Sequence, residues 1–483
     1  ESWSGMPEIT GYSFEWPQKL WKASVRQREF FMQADNFEKR DLWMRCNKKR
    51  AVSLMLCAAL ACGTGLLTTA CDSDTASGKV QIELLQYKQE AVNTFNELAE
   101  KFNASQDKIE LTVSSPNDAT TILKTRLIKD DPPDMVAIGG DYNYATMLDA
   151  DEFMDISDYE GLDKIKDVYK EMDKQLELVP KEGVYAVPYA ANAAGVLYNK
   201  EMFDQNGWEV PTTWTEFMDL CQEIQDAGIQ PFYFGFRDAW TCLAPFNAMA
   251  VSLADPTICS QVSAGTATFT EAYSEVCDKY LEMLQYAEPN PVAYAYNDAC
   301  TAFARDQSAM FVIGNYAIPQ IRSVDPDIQI DSFVLPASDN ADDNILNSGN
   351  DLQFSVMAAT EHKEECYEVL DFFLEDENVQ LYTDEQASVP CVDGDFEITD
   401  DLNSMKPYIE SGKMADYQDH HYPSEMSVDG MIQTFLQSGD KEAFLSRFDS
   451  DWVRYNRDTI AKLQEYYETH PDAASTAASS DAA

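Results

Sequence analysis

From residue 80 the chain switches repeatedly between two hydrophobic periods, and this alternation constrains its fold more than any other feature. VQIELLQ (80–86) reads as a strand, and AVNTFNELAEKF (91–102) carries apolar side chains at 91, 95, 98, 99 and 102, the spacing of one helical face. IELTV (109–113) is the next strand. TTILKTRLIK (120–129) is the next helix, with Asn117 or Asp118 placed to cap it, and DMVAIGG (134–140) is a short buried strand closed by a glycine turn. This β-α-β-α-β order predicts a parallel sheet covered by helices, whose ligands sit beyond the carboxyl ends of the strands. A second succession opens at AGVLYN (194–199) and continues into PTTWTEFMDLCQEIQDAG (211–228), where Thr213 and Glu216 have capping-box spacing. Further helical patterns fall near 271–286, 363–374 and 442–465, and strands at 308–313, 328–335 and 352–358. The prediction is an α/β protein of two lobes, each a sheet flanked by helices. Nothing repeats with a period of 20–50 residues, which argues against a solenoid.

The 483 residues suffice for two lobes, and a 45% hydrophobic share supplies a core for each. A formal net charge of −49 repels phosphate backbones, so nucleic acid is not an expected partner. Residues 44–70 join the basic RCNKKR to the apolar AVSLMLCAALACGTGLLTTA, the layout of an export signal. Such a stretch is also long enough to span a bilayer. Small residues near its end and the acidic exit CDSD favour the signal. Residues 1–43 precede Met44, the first plausible start, and are expected to be upstream sequence foreign to the native protein. The small-residue turn ending at Cys71 looks like a bacterial lipobox, with Thr68 where that pattern prefers leucine. The likeness implies that the Cys71 thiol is acylated and becomes the mature N-terminus, with 71–79 as anchor and tether. Two acyl chains anchor stably, at about 0.8 kcal/mol per buried methylene. The low-complexity end, 467–483, is expected to be disordered.

Seven cysteines follow Cys71, with no C-x-x-C among them. An odd number without that spacing indicates neither a zinc site nor a complete disulfide set. Cys221, Cys277 and Cys366 fall on apolar helical positions and are expected to be buried thiols. One disulfide, for instance Cys242–Cys259, is left open.

Several segments together resemble the extracellular solute-binding proteins of family 1, the carbohydrate-binding lipoproteins of ABC importers. The most specific is YAVPYAANAAGVLYNKEMFDQNGWEVPTTWTEFMDLCQEIQDAGIQPF (185–232). PPDMVAIGGD (132–141), FARDQSAMFVIGNYAIPQI (303–321) and SGNDLQFSVMAATEHKEECYEVLDFFLEDENVQLYTDEQASVP (348–390) fall in the family's order around it. The resemblance covers about residues 80–455. It implies a type II periplasmic-binding-protein-like fold, two lobes joined by hinge strands. Lobe 1 would comprise 79–190 and 350–395, lobe 2 195–347 and 396–466, with crossings near 190–195, 347–351 and 395. It also implies a mono- or oligosaccharide ligand, delivery to two permease subunits, and a monomer held by its lipid on the outer face of a bacterial, Gram-positive, cytoplasmic membrane. No cofactor or metal is expected, and a peptide or polyol ligand stays open.

Sugars present C–H faces and rings of hydroxyls, which aromatic platforms and planar polar side chains recognise. Candidates therefore lie at the carboxyl ends of strands. Tyr87 follows the first strand, Asn117 and Asp118 the second, and Asp141 the third. Tyr189 and Asn192 lie at the first crossing, while Asn350 and Asp351 open the strand returning to lobe 1. Trp240 sits on the loop GFRDAWTCLAP (235–245) and is expected to be a stacking platform. Asn315 and Tyr316 stand where the family commonly has a stacking Trp. Tyr198, Asn199 and Trp214 are expected to be structural.

Catalysis finds little support. The four histidines are His362, His420, His421 and His470, and there is no H-E-x-x-H, G-x-S-x-G, Walker A loop or G-x-G-x-x-G. His420 and His421, near Asp416 and Asp419, are expected on a surface loop rather than around a metal. The 84 carboxylates keep a lipid-anchored glycoside-active enzyme as one alternative. A sensory or adhesion receptor of the same fold is another.

Overall fold

Among the described residues eleven short strands sort into two sheets, and the chain passes between them. A computed structural model describes residues 78–470; the signal-like segment, Cys71 and 471–483 lie outside the described residues. β1 (Val80–Gln86), β2 (Ile109–Ser114), β3 (Met135–Ile138), β4 (Val187–Ala191), β9 (Asn350–Val356) and β10 (Val389–Pro390) form a six-stranded sheet in the order β10-β4-β9-β3-β1-β2. β5 (Ala194–Asn199), β6 (Met310–Gly314), β7 (Ile330–Phe333), β8 (Leu346–Asn347) and β11 (Met414–Ala415) form the second, β11-β8-β5-β6, with β7 also on β5. Each sheet with its helices makes one lobe of a two-lobe α/β fold.

The helices form because their apolar residues fall on one stripe. Val92–Ser105 buries Phe95, Leu98, Ala99 and Phe102 against the first sheet. There Phe95, Tyr189, Phe354, Phe373 and Tyr382 meet edge-on or tilted at 4.8–6.3 Å. Trp214–Asp226 begins with the expected capping box and buries Trp214, Phe217, Leu220, Cys221 and Ile224 in the second lobe. Asn199 caps the helix Lys200–Asn206, accepting from the Met202 amide at 3.0 Å, and Tyr198 is buried; both are structural.

Strand direction departs from expectation in the second lobe. In the first, β2 and β3 run parallel to β1, while β9 runs against β3 and β4. In the second, β6, β7 and β8 all run antiparallel to β5. The reason is the hinge: β5 carries the chain out of it, and the later strands carry the chain back toward β9. The ends of β1 to β4 and of β6 to β8 therefore meet at one seam.

Two crossings run side by side through that seam, where the Asn192 amide donates to the Gly349 carbonyl at 3.2 Å. The third passes from Val392, bridged to Ile165, to Asp401, which receives both terminal nitrogens of Arg322 at 2.7 Å. The disulfide left open at Cys242–Cys259 does not form: all seven cysteines among the described residues are free and buried. One further expectation needs correction. Residues 467–469 belong to the helix Arg457–Thr469, whose last turn is tied by Thr469 donating to the Tyr466 carbonyl at 2.8 Å. Among the described residues, no helix is long and apolar enough to cross a membrane.

Candidate ligand-binding cleft

The seam between the lobes collects polar and aromatic side chains at strand ends. On the first lobe the Tyr87 hydroxyl, one residue past β1, donates to the Asp351 carbonyl at 2.6 Å. Lys88 donates to the Asp351 carboxylate and is 3.4 Å from Glu90. Its side chain is 8% exposed and that of Asp351 11%, so the pair is nearly withdrawn from water. Burial acts to lower the Lys88 ammonium, but Asp351, Tyr87 and Glu90 hold it above its ordinary range. Burial, then Asp351, raises the Tyr87 hydroxyl well above its usual value.

On the second lobe three rings gather. Trp240, in the short turn Ala239–Cys242, is 41% exposed and lies 4.9 Å from Tyr296 and 6.3 Å from Tyr316. Asp238 fixes this loop by accepting from the Tyr296 amide at 2.9 Å. Gly314 lets the Tyr316 ring fold back over the end of β6: a Cβ there would stand 2.3 Å from that ring. The two faces lie within each other's field. Burial chiefly raises the Tyr316 and Tyr296 hydroxyls, with Asp351 adding to the first and Glu90 to the second. The buried hydroxyls of Tyr382 and Tyr417 have no hydrogen-bond partner among the described residues, and Asp351 acts on both. Such hydroxyls are costly to leave unpaired.

Beside the crossing at Gly349 lies a buried charge cluster. Asp416, 3% exposed, accepts from His420 Nδ1 at 2.8 Å and lies 3.5 Å from His421 Nε2. These histidines are not on a surface loop as expected. The turn Gln418–His421 wraps around Asp416, so adjacent side chains that would diverge on a helix both face it. Burial opposes the charge of Asp416, but the two histidines hold it below the usual carboxylate range. Asp419, raised by burial, accepts from Asn247 Nδ2 at 2.7 Å. Among the described residues no group of three or more metal-ligating side chains is placed to hold an ion.

The candidates read from sequence divide by burial. Tyr87, Asp351, Trp240 and Tyr316 come together around the seam. Asn192 is half-buried at the crossing. Asp141 spends its carboxylate capping the helix Tyr142–Asp149, accepting from the amides of Asn143 and Tyr144 at 2.8 and 3.2 Å. Asn117 and Asp118 are exposed beyond β2, and Asp118 occupies the helix cap position without a side-chain bond. Three are corrected. Tyr189 is buried in the first core, its hydroxyl donating to Asn378 O at 3.1 Å. Asn350 is buried and donates to Tyr169 O and Asp173 Oδ1 at 3.0 and 2.8 Å. Asn315 clips the lobes together, accepting from the Ala193 amide at 2.9 Å and donating to the Ala387 carbonyl at 2.6 Å.

Sequence reasoning missed Lys88, Tyr296, Tyr382 and Tyr417. The strand-end rule reaches Lys88, since it follows Tyr87, but nothing in the sequence marks that lysine as buried. Tyr296 lies in no motif and meets Trp240 only through the fold. A wide, open groove of about 1210 Å³ runs elsewhere, along 165–170, 393–400 and 406–412. It lacks the paired aromatic and polar faces of the seam.

The profile described as bacterial extracellular solute-binding protein matches residues 88–380. The Multiple sugar-binding protein of Streptococcus mutans is 29% identical over 375 residues, covering 74% of this chain and 86% of that one. The melibiose/raffinose/stachyose-binding protein MelE of Bacillus subtilis is 20% identical over 366 residues, covering 72% and 82%. Among solved structures, apo RafE from Streptococcus pneumoniae matches with TM-score 0.69 and 26% identity over 78% of this chain and 98% of its own. RafE in complex with raffinose matches with TM-score 0.66 and 26% identity, over 77% and 98%.

Proposed function

Because the chain belongs to the bacterial extracellular solute-binding protein family, we propose that it captures a neutral sugar or oligosaccharide between its lobes and delivers it to the permease subunits of an ABC importer. The observation that carries this reading is the meeting, at the boundary of the lobes, of three aromatic rings with a largely buried Tyr87–Lys88–Asp351 group whose carboxylate acts on the Tyr316 hydroxyl. Trp240, Tyr296 and Tyr316 offer faces to a sugar's C–H surface. Asp351 accepts hydroxyls, and Lys88 cancels its charge, so the pair suits an uncharged polyol ring rather than an acidic sugar. We extend the same site to Asp141 and Asn192, and to the exposed Asn117 and Asp118 beyond β2. The relatives named for multiple sugars, for melibiose, raffinose and stachyose, and the raffinose complex support the same class of ligand. As a family member the chain is a binder and not a catalyst. Acylation of Cys71 would keep it at the outer face of the membrane, beside the permease.

Calorimetric titration with galactose, melibiose, raffinose and stachyose, and with glucose, maltose and maltotriose, tests the proposal. At least one neutral sugar should bind saturably and be recovered intact, with glucuronate at least tenfold weaker. No binding across both series, preference for glucuronate, or cleaved product would overturn it.

A further inference from the structure

A recess of about 270 Å³ opens on the first lobe, between the helices Tyr142–Asp149 and Asp167–Gln175 and the segment 183–186 that leads into β4. None of the cleft residues Tyr87, Lys88, Asp351, Trp240, Tyr296 and Tyr316 lines it. Two nearly buried polar groups do, each with bonding capacity to spare. Asp173 is 9% exposed; one carboxylate oxygen accepts from Asn350 Nδ2 at 2.8 Å, and the other has no partner among the described residues. Tyr144 is 2% exposed, with its ring stacked on Phe153 at 5.4 Å and 17°. Its hydroxyl makes no hydrogen bond among the described residues, and burial, then Asp173 and Glu177, raise it well above its ordinary range. Groups so withdrawn from water are costly to leave short of partners. The walls show what would satisfy them. Of four acids in the recess two are matched, Asp167 by Lys170 and Glu177 by Lys174, both at 2.8 Å. Lys174 also donates to the Lys181 and Gly183 carbonyls at 2.9 and 2.8 Å, which ties its ammonium to the rim. Asp173 and the exposed Glu171 remain as unbalanced negative charge beside the apolar Val184, Tyr185 and Ala186. Burial, against the Asn350 bond, raises Asp173 to about 8, a penalty on its charged form that a nearby cation offsets. A cavity of about 150 Å³ holds benzene, so the recess has room for a ring with a short ammonium arm.

We propose that this recess binds a small organic ammonium ion, its charge on the Asp173 carboxylate, one N–H on the Tyr144 oxygen and its apolar part against Val184 and Tyr185. The site stands apart from the sugar cleft and does not depend on the sugar reading. Benzylammonium is the probe. Calorimetric titration of the full chain at about pH 8 and low salt should show saturable binding, with the neutral benzyl alcohol weaker by about tenfold or more. Asp173→Asn keeps an acceptor for Asn350 and removes the charge, and should weaken binding by a similar factor. Tyr144→Phe deletes a single buried oxygen and should weaken it about fivefold, which provides a second variant should the first lower the melting temperature. A sugar that saturates the cleft should leave the probe in place. No binding of benzylammonium, equal binding of benzyl alcohol, affinity unchanged in both variants, or displacement of the probe by the sugar overturns the proposal.

Discussion

Trp240 and Trp214 show how burial decides what a residue does. Trp240 is 41% exposed against two tyrosines, so its removal costs a ligand face and little packing. Trp240→Ala should weaken sugar binding by about 2 kcal/mol, roughly thirtyfold, and leave the apo melting temperature nearly unchanged. Trp214 is 5% exposed, donates to Glu282 at 2.9 Å and lies under the Lys279 ammonium at 4.6 Å. Trp214→Ala should cost about 3–5 kcal/mol of stability by denaturant titration. Unfolding by the first substitution, or a negligible effect of the second, would reverse the two roles. His420 makes a separate, pH-dependent contribution. Burial acts to lower its imidazolium, yet Asp416, Asp419 and Asp141 hold it up at about 9. An unfolded histidine titrates near 6.5, so the pair contributes fully below about pH 6.5 and its contribution is lost as pH rises through about 9. The unfolding free energy should fall by about 3 kcal/mol across that window, and His420→Gln should flatten the fall. An equally steep fall in the variant would assign the titration elsewhere, for instance to Asp173, which burial raises to about 8. At this scale the exposure of Trp240 was legible, because the residue falls on a loop outside any apolar helical or strand pattern. Lys88 and the His420 pair were not, because their burial comes from chain segments far away in sequence.

Elements were more legible than residues. β1 and β5 fall at 80–86 and 194–199, as their hydrophobic runs predict, and the Trp214–Asp226 helix starts at its capping box. Hydrophobic period specifies a strand but carries no direction, which is why the antiparallel order of the second sheet could not be read. The segment 442–465 shows the same limit: one predicted helix is two, Lys441–Tyr455 and Arg457–Thr469, broken at Asn456. Asn456 is the residue that accepts from the Tyr142 hydroxyl of the first lobe. The crossing segment 348–349 has no room for one added atom. A Cβ on Gly349 would stand 2.1 Å from Asp416 Oδ1, 2.9 Å from the Tyr417 ring and 3.0 Å from His420. Gly349→Ala must therefore push the crossing away from the Asp416 cluster, at about 1–3 kcal/mol of overpacking. We expect a lower melting temperature together with weaker sugar binding, because the displaced strand continues into Asp351. A variant with unchanged stability and affinity would mean that the crossing has slack the packing denies.

For the whole molecule, the two-lobe α/β architecture was legible in the repeated strand–helix successions, and a family resemblance gave it a hinge. The contacts that hold the lobes together were not legible, since Asn315 with Ala387, Tyr142 with Asn456 and Lys462 with Asp149 join residues 72 to 314 positions apart. The proposed anchor is tested on the full chain: in a bacterium with lipoprotein machinery it should partition into detergent, and Cys71→Ala should abolish this. An intact N-terminus upstream of residue 71 on the mature protein would contradict acylation there. Ligand capture between lobes has a thermodynamic consequence as well, since a sugar at 100 times its dissociation constant adds about 2.7 kcal/mol to stability. Capture by a hinge, however, is a statement about shape. Solution scattering of the protein with and without a sugar that binds in calorimetry tests it most directly. The account predicts a smaller radius of gyration at saturation, with the change diminished when Gly349→Ala displaces the crossing; a scattering curve that stays the same at full saturation would contradict closure of the two lobes around the ligand.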